Sequence, residues 1–268
     1  MSIITISRGC YSRGKEVAEK VAKELGYQCI SREILLEASE KFHIPEIKLV
    51  RAIHDAPSVL DRFTYGKEKY VAYLISALLK NVQKDNVVYH GLAGHFFLQD
   101  IPHVLKVRVI ADLEHRVKEE MKRENISAEE ARYILIKDDD ERRKWGLQLY
   151  GRDTRDSSLY DLVVHIKTKK VDDAVGLILY AARMSCFQTT PESQKTLDDL
   201  TLAAELKSAL VDEFPRSEVT AKDGSVLVKI EIPFSQQEKA TEKIKQIAET
   251  IPHVKEVNVN ATPLMGTD

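Results

Sequence analysis

The spacing of apolar residues changes twice within the first thirty positions. Ile3, Ile4, Thr5 and Ile6 form a β-branched run, the pattern of a strand buried in a parallel sheet. A turn-rich stretch, 7–14, follows. Then Val17, Ala18, Val21, Ala22 and Leu25 recur at helical spacing and stop at Gly26, a C-cap residue. Residues 27–30 read as a second short strand. Strand, loop, helix and strand in that order predict a right-handed βαβ unit.

Residues 31–83 read as helical throughout. Ile34, Leu35, Ala38 and Phe42 make one stripe. Pro45 opens a second helix bearing Ile47, Val50 and Ile53, and 70–79 is strongly apolar. Core strands are predicted at 86–89, 104–110 and 159–166, and helices at 112–124 and 171–182. Ser127-Ala-Glu-Glu has the form of a capping box that starts another helix. Segment 138–155 is dense in charge of both signs. Five strands with intervening helices predict an α/β fold: a doubly wound five-stranded parallel sheet.

The pattern changes near residue 188. Gln188-Thr-Thr-Pro-Glu-Ser-Gln is polar and reads as a linker, 188–195. Beyond it come a helix (197–214), a strand (219–222), an Asp223-Gly224 turn, a strand (226–232), a helix (236–251) and a strand (254–259). Asp-Gly between apolar runs is a hairpin signal. The expected domains are 1–187, then a small α+β module at 196–262.

Composition narrows the function classes. The chain has 268 residues, 43% of them hydrophobic, enough for two cores. Charged residues are 31% and nearly balanced, with a net charge of −2, so there is no basic footprint for nucleic acid. No apolar run has membrane-spanning length, and no membrane partner is expected. The opening Met-Ser-Ile-Ile-Thr-Ile-Ser-Arg lacks a basic n-region and a long apolar stretch, so a cytoplasmic location is predicted. Cys10, Cys29 and Cys186 are three and widely spaced, forming neither a disulfide framework nor a zinc motif.

The chemistry-bearing motif is Gly9-Cys10-Tyr11-Ser12-Arg13-Gly14-Lys15, which matches GxxxxGK. Its glycines let the backbone turn so that successive N–H groups face phosphate oxygens, and the following helix adds its dipole. Lys15 then brings a positive charge to the β- and γ-phosphates. Glu16 stands where the motif commonly has Ser or Thr, whose hydroxyl ligates magnesium. The metal is therefore expected through water or on the nucleotide, and no protein metal ligand is assigned.

With the loop in place, the first 185 or so residues resemble the cytidylate kinase-like family of P-loop nucleoside monophosphate kinases. The matching stretches are Ile3-Ile-Thr-Ile-Ser-Arg-Gly9, Gly14-Lys-Glu-Val-Ala18, Val107-Arg-Val-Ile-Ala-Asp-Leu-Glu-His-Arg116, Asp139-Asp-Glu-Arg142-Arg-Lys-Trp145 and Tyr160-Asp161-Leu-Val. The resemblance implies ATP- and Mg2+-dependent phosphoryl transfer to a nucleoside monophosphate, a helical monophosphate-binding insert at 31–83 and a lid at 125–158. Arg142 occupies the family's arginine position, and Asp139 resembles the acid that holds the substrate base or ribose. Asp161 is expected to anchor the lid to the core.

Transfer needs charge neutralisation more than covalent help. Arg116, Arg142, Arg152 and Arg155 join Lys15 as catalytic candidates. The other reading of the lid arginines, with Arg132 and Arg143, pairs them with Asp138–Glu141, Asp153 and Asp156 at the surface. Substrate candidates are Arg32, Arg51, Asp55, His90, Gly91 and Asp139, with His95 a further possibility. Arg51 and Asp55 share a helix face. Tyr65, Tyr70 and Tyr73 read as a base-stacking surface or, more commonly, a core stripe.

Two positions depart from the family. The turn after the third strand reads His90-Gly91-Leu92-Ala93-Gly94-His95 where relatives carry Gly-Arg-Asp, and Ser31-Arg32 follows the second strand where they carry Asp. The acceptor is left open among CMP, dCMP, AMP and others. A nucleotide sensor without catalysis and a small-molecule kinase on the same core stay open as alternatives. Residues 195–262 resemble the BON-type domain through Val219-Thr-Ala-Lys-Asp-Gly-Ser-Val226 and Ile251-Pro-His-Val-Lys-Glu-Val-Asn-Val259. That implies an interaction or ligand-sensing module; dimerisation through it is the plainer alternative.

Overall fold

The computed structural model describes residues 2–8, 12–31, 65–91 and 94–263. Contacts divide the chain into two compact units. The first holds 84–190 and the described part of 1–59; the second holds 191–263 and the described part of 60–83.

In the first unit β1 (Ile3–Arg8), β2 (Gln28–Ile30), β3 (Val87–Tyr89), β4 (Val104–Ala111) and β5 (Leu162–Ile166) form one sheet in the order β2-β3-β1-β4-β5. Every neighbouring pair is parallel, as predicted. β1 lies at the centre, so the loop leaving it emerges at the middle of the carboxyl edge, where open α/β sheets bind ligands.

α1 (Gly14–Leu25) follows β1 and ends at Gly26 with φ 68°, the left-handed C-cap that its glycine suggested. α2 (Gly66–Val82) belongs to the second unit. α3 (Gly94–Phe97), α4 (Leu113–Glu124), α5 (Ala128–Tyr150) and α6 (Val171–Ala182) complete the first. Ser127 Oγ accepts the Glu130 amide at 3.2 Å, capping α5 as the sequence implied. The charged segment 138–150 continues α5 unbroken.

One sheet face is a dry core. Ile4, Ile6, Val88, Leu105, Val107, Val109, Val164 and Ile166 pack against Val17, Ala18 and Val21 of α1 and Val171, Val175 and Ile178 of α6. Burying each such aliphatic side chain contributes about 1.5–3 kcal/mol.

The second unit runs α2, α7 (Pro191–Leu210), β6 (Glu218–Lys222), β7 (Ser225–Glu231), α8 (Gln237–Glu249) and β8 (Glu256–Thr262). β6 and β7 are antiparallel; β7 and β8 are parallel across α8. Asp223 (φ 57°) and Gly224 (φ 86°) both take positive φ, the signature of the type I′ hairpin turn that Asp-Gly favours. Leu206, Leu210, Val226, Val228, Ile244 and Ala248 are its centre.

Here the structure shifts the sequence boundaries. α7 begins at Pro191, an N-terminal position proline suits, so 191–195 is helix where a linker was read. Residues 66–82 are helical as expected and pack with α7. Lys69 pairs with Asp212 (2.7 Å), Ser76 meets Ser208 (3.3 Å) and Gln83 bonds Asp198 (2.7 Å). The falling numbers along α7 make the two helices antiparallel. Tyr70 and Tyr73 are buried there, so the core-stripe reading of these tyrosines holds. No helix among the described residues is long and apolar enough to cross a membrane.

Candidate active site

The phosphate loop leaves β1 and enters α1. Gly9, Cys10 and Tyr11 lie outside the described residues. Ser12 is buried, and its Oγ donates to the Val109 carbonyl of β4 at 2.9 Å, tying the loop to the neighbouring strand. Arg13 takes φ 61°, a left-handed conformation that costs a non-glycine residue about 1–2 kcal/mol. It turns the chain into α1 at the buried Gly14. Among the described residues no side chain caps this helix, so its first amides and its dipole suit an anion.

Lys15 is 63% exposed and lies 3.6 Å from Glu19. Glu16 accepts from Arg13 at 2.8 Å and sits 3.5 Å from Lys20, which also binds Asp172 at 2.7 Å. Glu16 is thus spent on surface pairs, and no group of three or more His, Cys, Asp or Glu among the described residues is placed to hold a metal. Helix-end amides and Lys15 fit a triphosphate; a magnesium ion would arrive on the nucleotide.

The candidate arginines separate into two sets. Arg116 on α4 has a side chain only 8% exposed, and its Nη1 donates to Asp139 Oδ2 on α5 at 2.7 Å. Among the described residues its Nε and Nη2 have no acceptor. Arg142 is half-buried, three residues beyond Asp139 on the same helix.

The second set lies in the turn after α5. Asp153 accepts from Arg143 Nε at 2.9 Å and from the Arg155 backbone and Nη2, both at 2.9 Å. These bonds, with Arg155 the largest influence, hold the Asp153 carboxyl well below the usual carboxylate range. Arg152 donates to Gln99 at 3.4 Å. The surface-pair reading therefore describes Arg143 and Arg155 in this state; Arg132 is paired too, but with Glu114, an acid outside that reading, which it grips with both Nη atoms.

His90 is buried, with its amide on the Ile30 carbonyl at 3.0 Å. Gly91 is glycine for a steric reason: a Cβ there would fall 2.2 Å from Tyr89 Oη. Gly94 is equally crowded, 2.5 Å from Tyr89 Cδ1. Arg32, Arg51 and Asp55, with Leu92 and Ala93, lie outside the described residues. Asp161 Oδ2 accepts the Lys106 amide at 2.8 Å while the Asp161 amide donates to the Lys106 carbonyl at 2.8 Å. A side chain thus fastens the start of β5 to β4.

Sequence reasoning offered His95 as a possible substrate contact but gave Arg108 no role in the cluster on the polar sheet face. Arg108 of β4 donates through Nη1 to the Thr154 carbonyl and to Tyr160 Oη (3.0 Å), with its guanidinium 5.4 Å from the Tyr160 ring centroid. Tyr160 Oη donates to the Thr154 carbonyl at 2.8 Å, meets His95 Nε2 at 3.2 Å and lies 3.3 Å from Ser7 Oγ. Burial first, then Arg108, pushes the His95 pKa down to about 3. The clue was in β4 itself: strands of a parallel sheet read as apolar runs, yet Val104-Leu-Lys-Val-Arg-Val-Ile-Ala carries a charge mid-strand.

Residues 3–168 match the cytidylate kinase-like family, from β1 through the phosphate loop and α5 to just past β5. The chain belongs to the cytidylate kinase-like family. The cytidylate kinase of Saccharolobus islandicus is 27% identical over 198 residues, 74% of this chain and 99% of that one. That of Thermococcus kodakarensis is 36% identical over 80 residues, 30% of this chain and 40% of the relative's length. An uncharacterised protein from Eubacterium ventriosum shares the fold, with a TM-score of 0.51 at 18% identity, over 68% of this chain and 98% of its own. A cytidylate kinase-like chain is a phosphotransferase of the kinase type, with a nucleotide site. Of the second unit, the described part of 60–83 falls within the family match and 191–263 lies beyond it.

Proposed function

We propose that the protein transfers the γ-phosphoryl group of ATP to a nucleoside monophosphate of the CMP, dCMP or AMP type, giving the diphosphate. The observation that supports this reading is the N-terminus of α1 beside Lys15, capped by no side chain among the described residues, in a chain that also carries Arg152 and Arg155 in one turn, with Arg143 of α5 bound to Asp153 of that turn. In transfer a new P–O bond forms to an acceptor phosphate oxygen as the bond to the departing ADP oxygen breaks. α1 amides and Lys15 bind the β- and γ-oxygens, and guanidiniums neutralise charge on the moving group. Magnesium, when bound with the nucleotide, screens the same oxygens. Arg116 and Asp139 form one unit: the carboxylate holds the guanidinium, whose Nε and Nη2 are buried with no acceptor among the described residues. Arg32, Arg51, Asp55, His90 and Gly91 complete the proposed acceptor contacts.

The segment 196–262 of the second unit is proposed to be a BON-like interaction module, on the strength of its α-β-β-α-β order, with self-association as its simplest role. A cytoplasmic location fits a nucleotide kinase. A second reading, a nucleotide sensor without catalysis, draws on Glu16 being engaged by Arg13 and Lys20.

The test is direct. Full-length protein, ATP and magnesium are given CMP, dCMP, UMP, AMP and GMP in turn, and diphosphate is measured. Turnover on one acceptor that drops by about 10²-fold or more in Lys15→Ala supports the proposal. ATP binding with no turnover on any acceptor replaces it with the sensor.

A further inference from the structure

Thr154 sits between Arg152 and Arg155, and its carbonyl is the convergence point of the buried polar cluster. Arg108 and Tyr160 both donate to it. The close approach of α5 reinforces the seat: a Cβ on Gly146 would lie 2.7 Å from the Arg152 carbonyl oxygen and 2.9 Å from Thr154 Cγ2. On the other side the cluster reaches Ser7, two residues before Gly9 of the phosphate loop.

The donors can be counted. Tyr160 has one hydroxyl hydrogen, and the Thr154 carbonyl, a pure acceptor at 2.8 Å, takes it. The Tyr160 oxygen then has two lone pairs. One accepts Arg108 Nη1. The other faces His95 Nε2 at 3.2 Å and Ser7 Oγ at 3.3 Å, each of which can donate to it. Every strong donor and acceptor at the phenol oxygen is then used. A phenol satisfied on all sides in a buried site has one geometry, and so does the carbonyl it holds.

We propose that Tyr160 and Arg108 are positioning residues. They anchor the turn bearing Arg152 and Arg155 to β1 and β4, and so fix where those guanidiniums stand relative to the phosphate loop. This rests on the phosphoryl-transfer reading above. Neither residue need touch a substrate; both act through the Thr154 carbonyl.

Tyr160→Phe keeps the ring over Arg108 and beside His95 and removes only the hydroxyl. Its kcat should fall by about 10- to 100-fold, the penalty for displaced catalytic groups. ATP affinity, set by the loop and α1, should change by less than about threefold. Amide exchange at 152–156 should accelerate by at least about tenfold, with that of β1 and β4 unchanged. Arg108→Met, the second variant in case the first misfolds, should reproduce both effects. Arg108→Lys retains a donor and should recover part of the rate.

A loss of kcat with unchanged exchange at 152–156 overturns the proposal, as does faster exchange with kcat intact. If the wild type transfers phosphate to no acceptor, the function reading fails by itself. The exchange measurement then decides the anchor alone: acceleration supports it and unchanged exchange ends it.

Discussion

Ile4, Ile6, Leu105, Val107, Val109, Val164 and Ile166 point to one side of the five-stranded sheet; Thr5, Ser7, Lys106, Arg108 and His165, their immediate neighbours, point to the other. The first side is sealed by α1 and α6 and contains no charged side chain in its buried cluster. The second holds the Arg108–Tyr160–His95 cluster, the Asp161 tie to Lys106, and His165 against Asp112 at 2.9 Å. The same backbone supports both. Period-2 alternation lets one set of strands hold the fold together with half of its residues and build a site with the rest. A face that must pack has little choice of residue type, whereas a face that must bind can accept costly polar groups if each finds a partner.

The sharpest way to break that division is on the apolar side. Leu105→Ala should cost about 2–5 kcal/mol in chemical denaturation, through lost burial and the cavity left behind. Nucleotide affinity of the folded fraction should be unchanged.

On the polar side the largest stability effect should depend on pH. His95 is held near a pKa of about 3 in the fold and returns to its ordinary 6.5 when unfolded. Between those values the unfolded chain binds the extra proton. Stability is therefore full above pH 6.5 and declines as pH falls toward 3. His95→Gln, which keeps a donor for Tyr160, should flatten that acid limb of a denaturation-midpoint profile; a profile unchanged from wild type would show that His95 is not the group responsible.

The smallest effect belongs at the sheet edge. Val163 follows the polar parity but is 40% exposed on β5, so Val163→Thr should shift stability by no more than about 0.5 kcal/mol. A larger loss would mean that the polar face packs as tightly as the apolar one.

Much of the fold could be read from sequence because its signals are local. Gly26 ends α1, Ser127 caps α5 and Asp223-Gly224 turns the hairpin, each through the conformational preference of one or two residues. The strand order β2-β3-β1-β4-β5 and the packing of α2 on α7 were not readable, since both depend on partners far along the chain. The site divides the same way. The phosphate loop is a contiguous motif and was found. Arg116 was named, but its pairing with Asp139, 23 residues away on another helix, was not, since the resemblance gave that acid a substrate role. Arg108 was passed over because it was read as part of a core strand, although a charge in the middle of such a strand is itself the signal.

Asp153 gives the arginine turn a property that its charge alone does not. Arg143 and Arg155 already share a carboxylate, at distances typical of strong ionic hydrogen bonds. An arriving anion does not meet bare guanidiniums. It meets an occupied seat and must offer more than a single carboxylate to take it. A phosphoryl group, with more charge and three oxygens, has that advantage; chloride and small carboxylates do not. Under the proposed phosphoryl transfer, Asp153 would act as a threshold, keeping the arginines ordered between turnovers and yielding them to a ligand that outbids it.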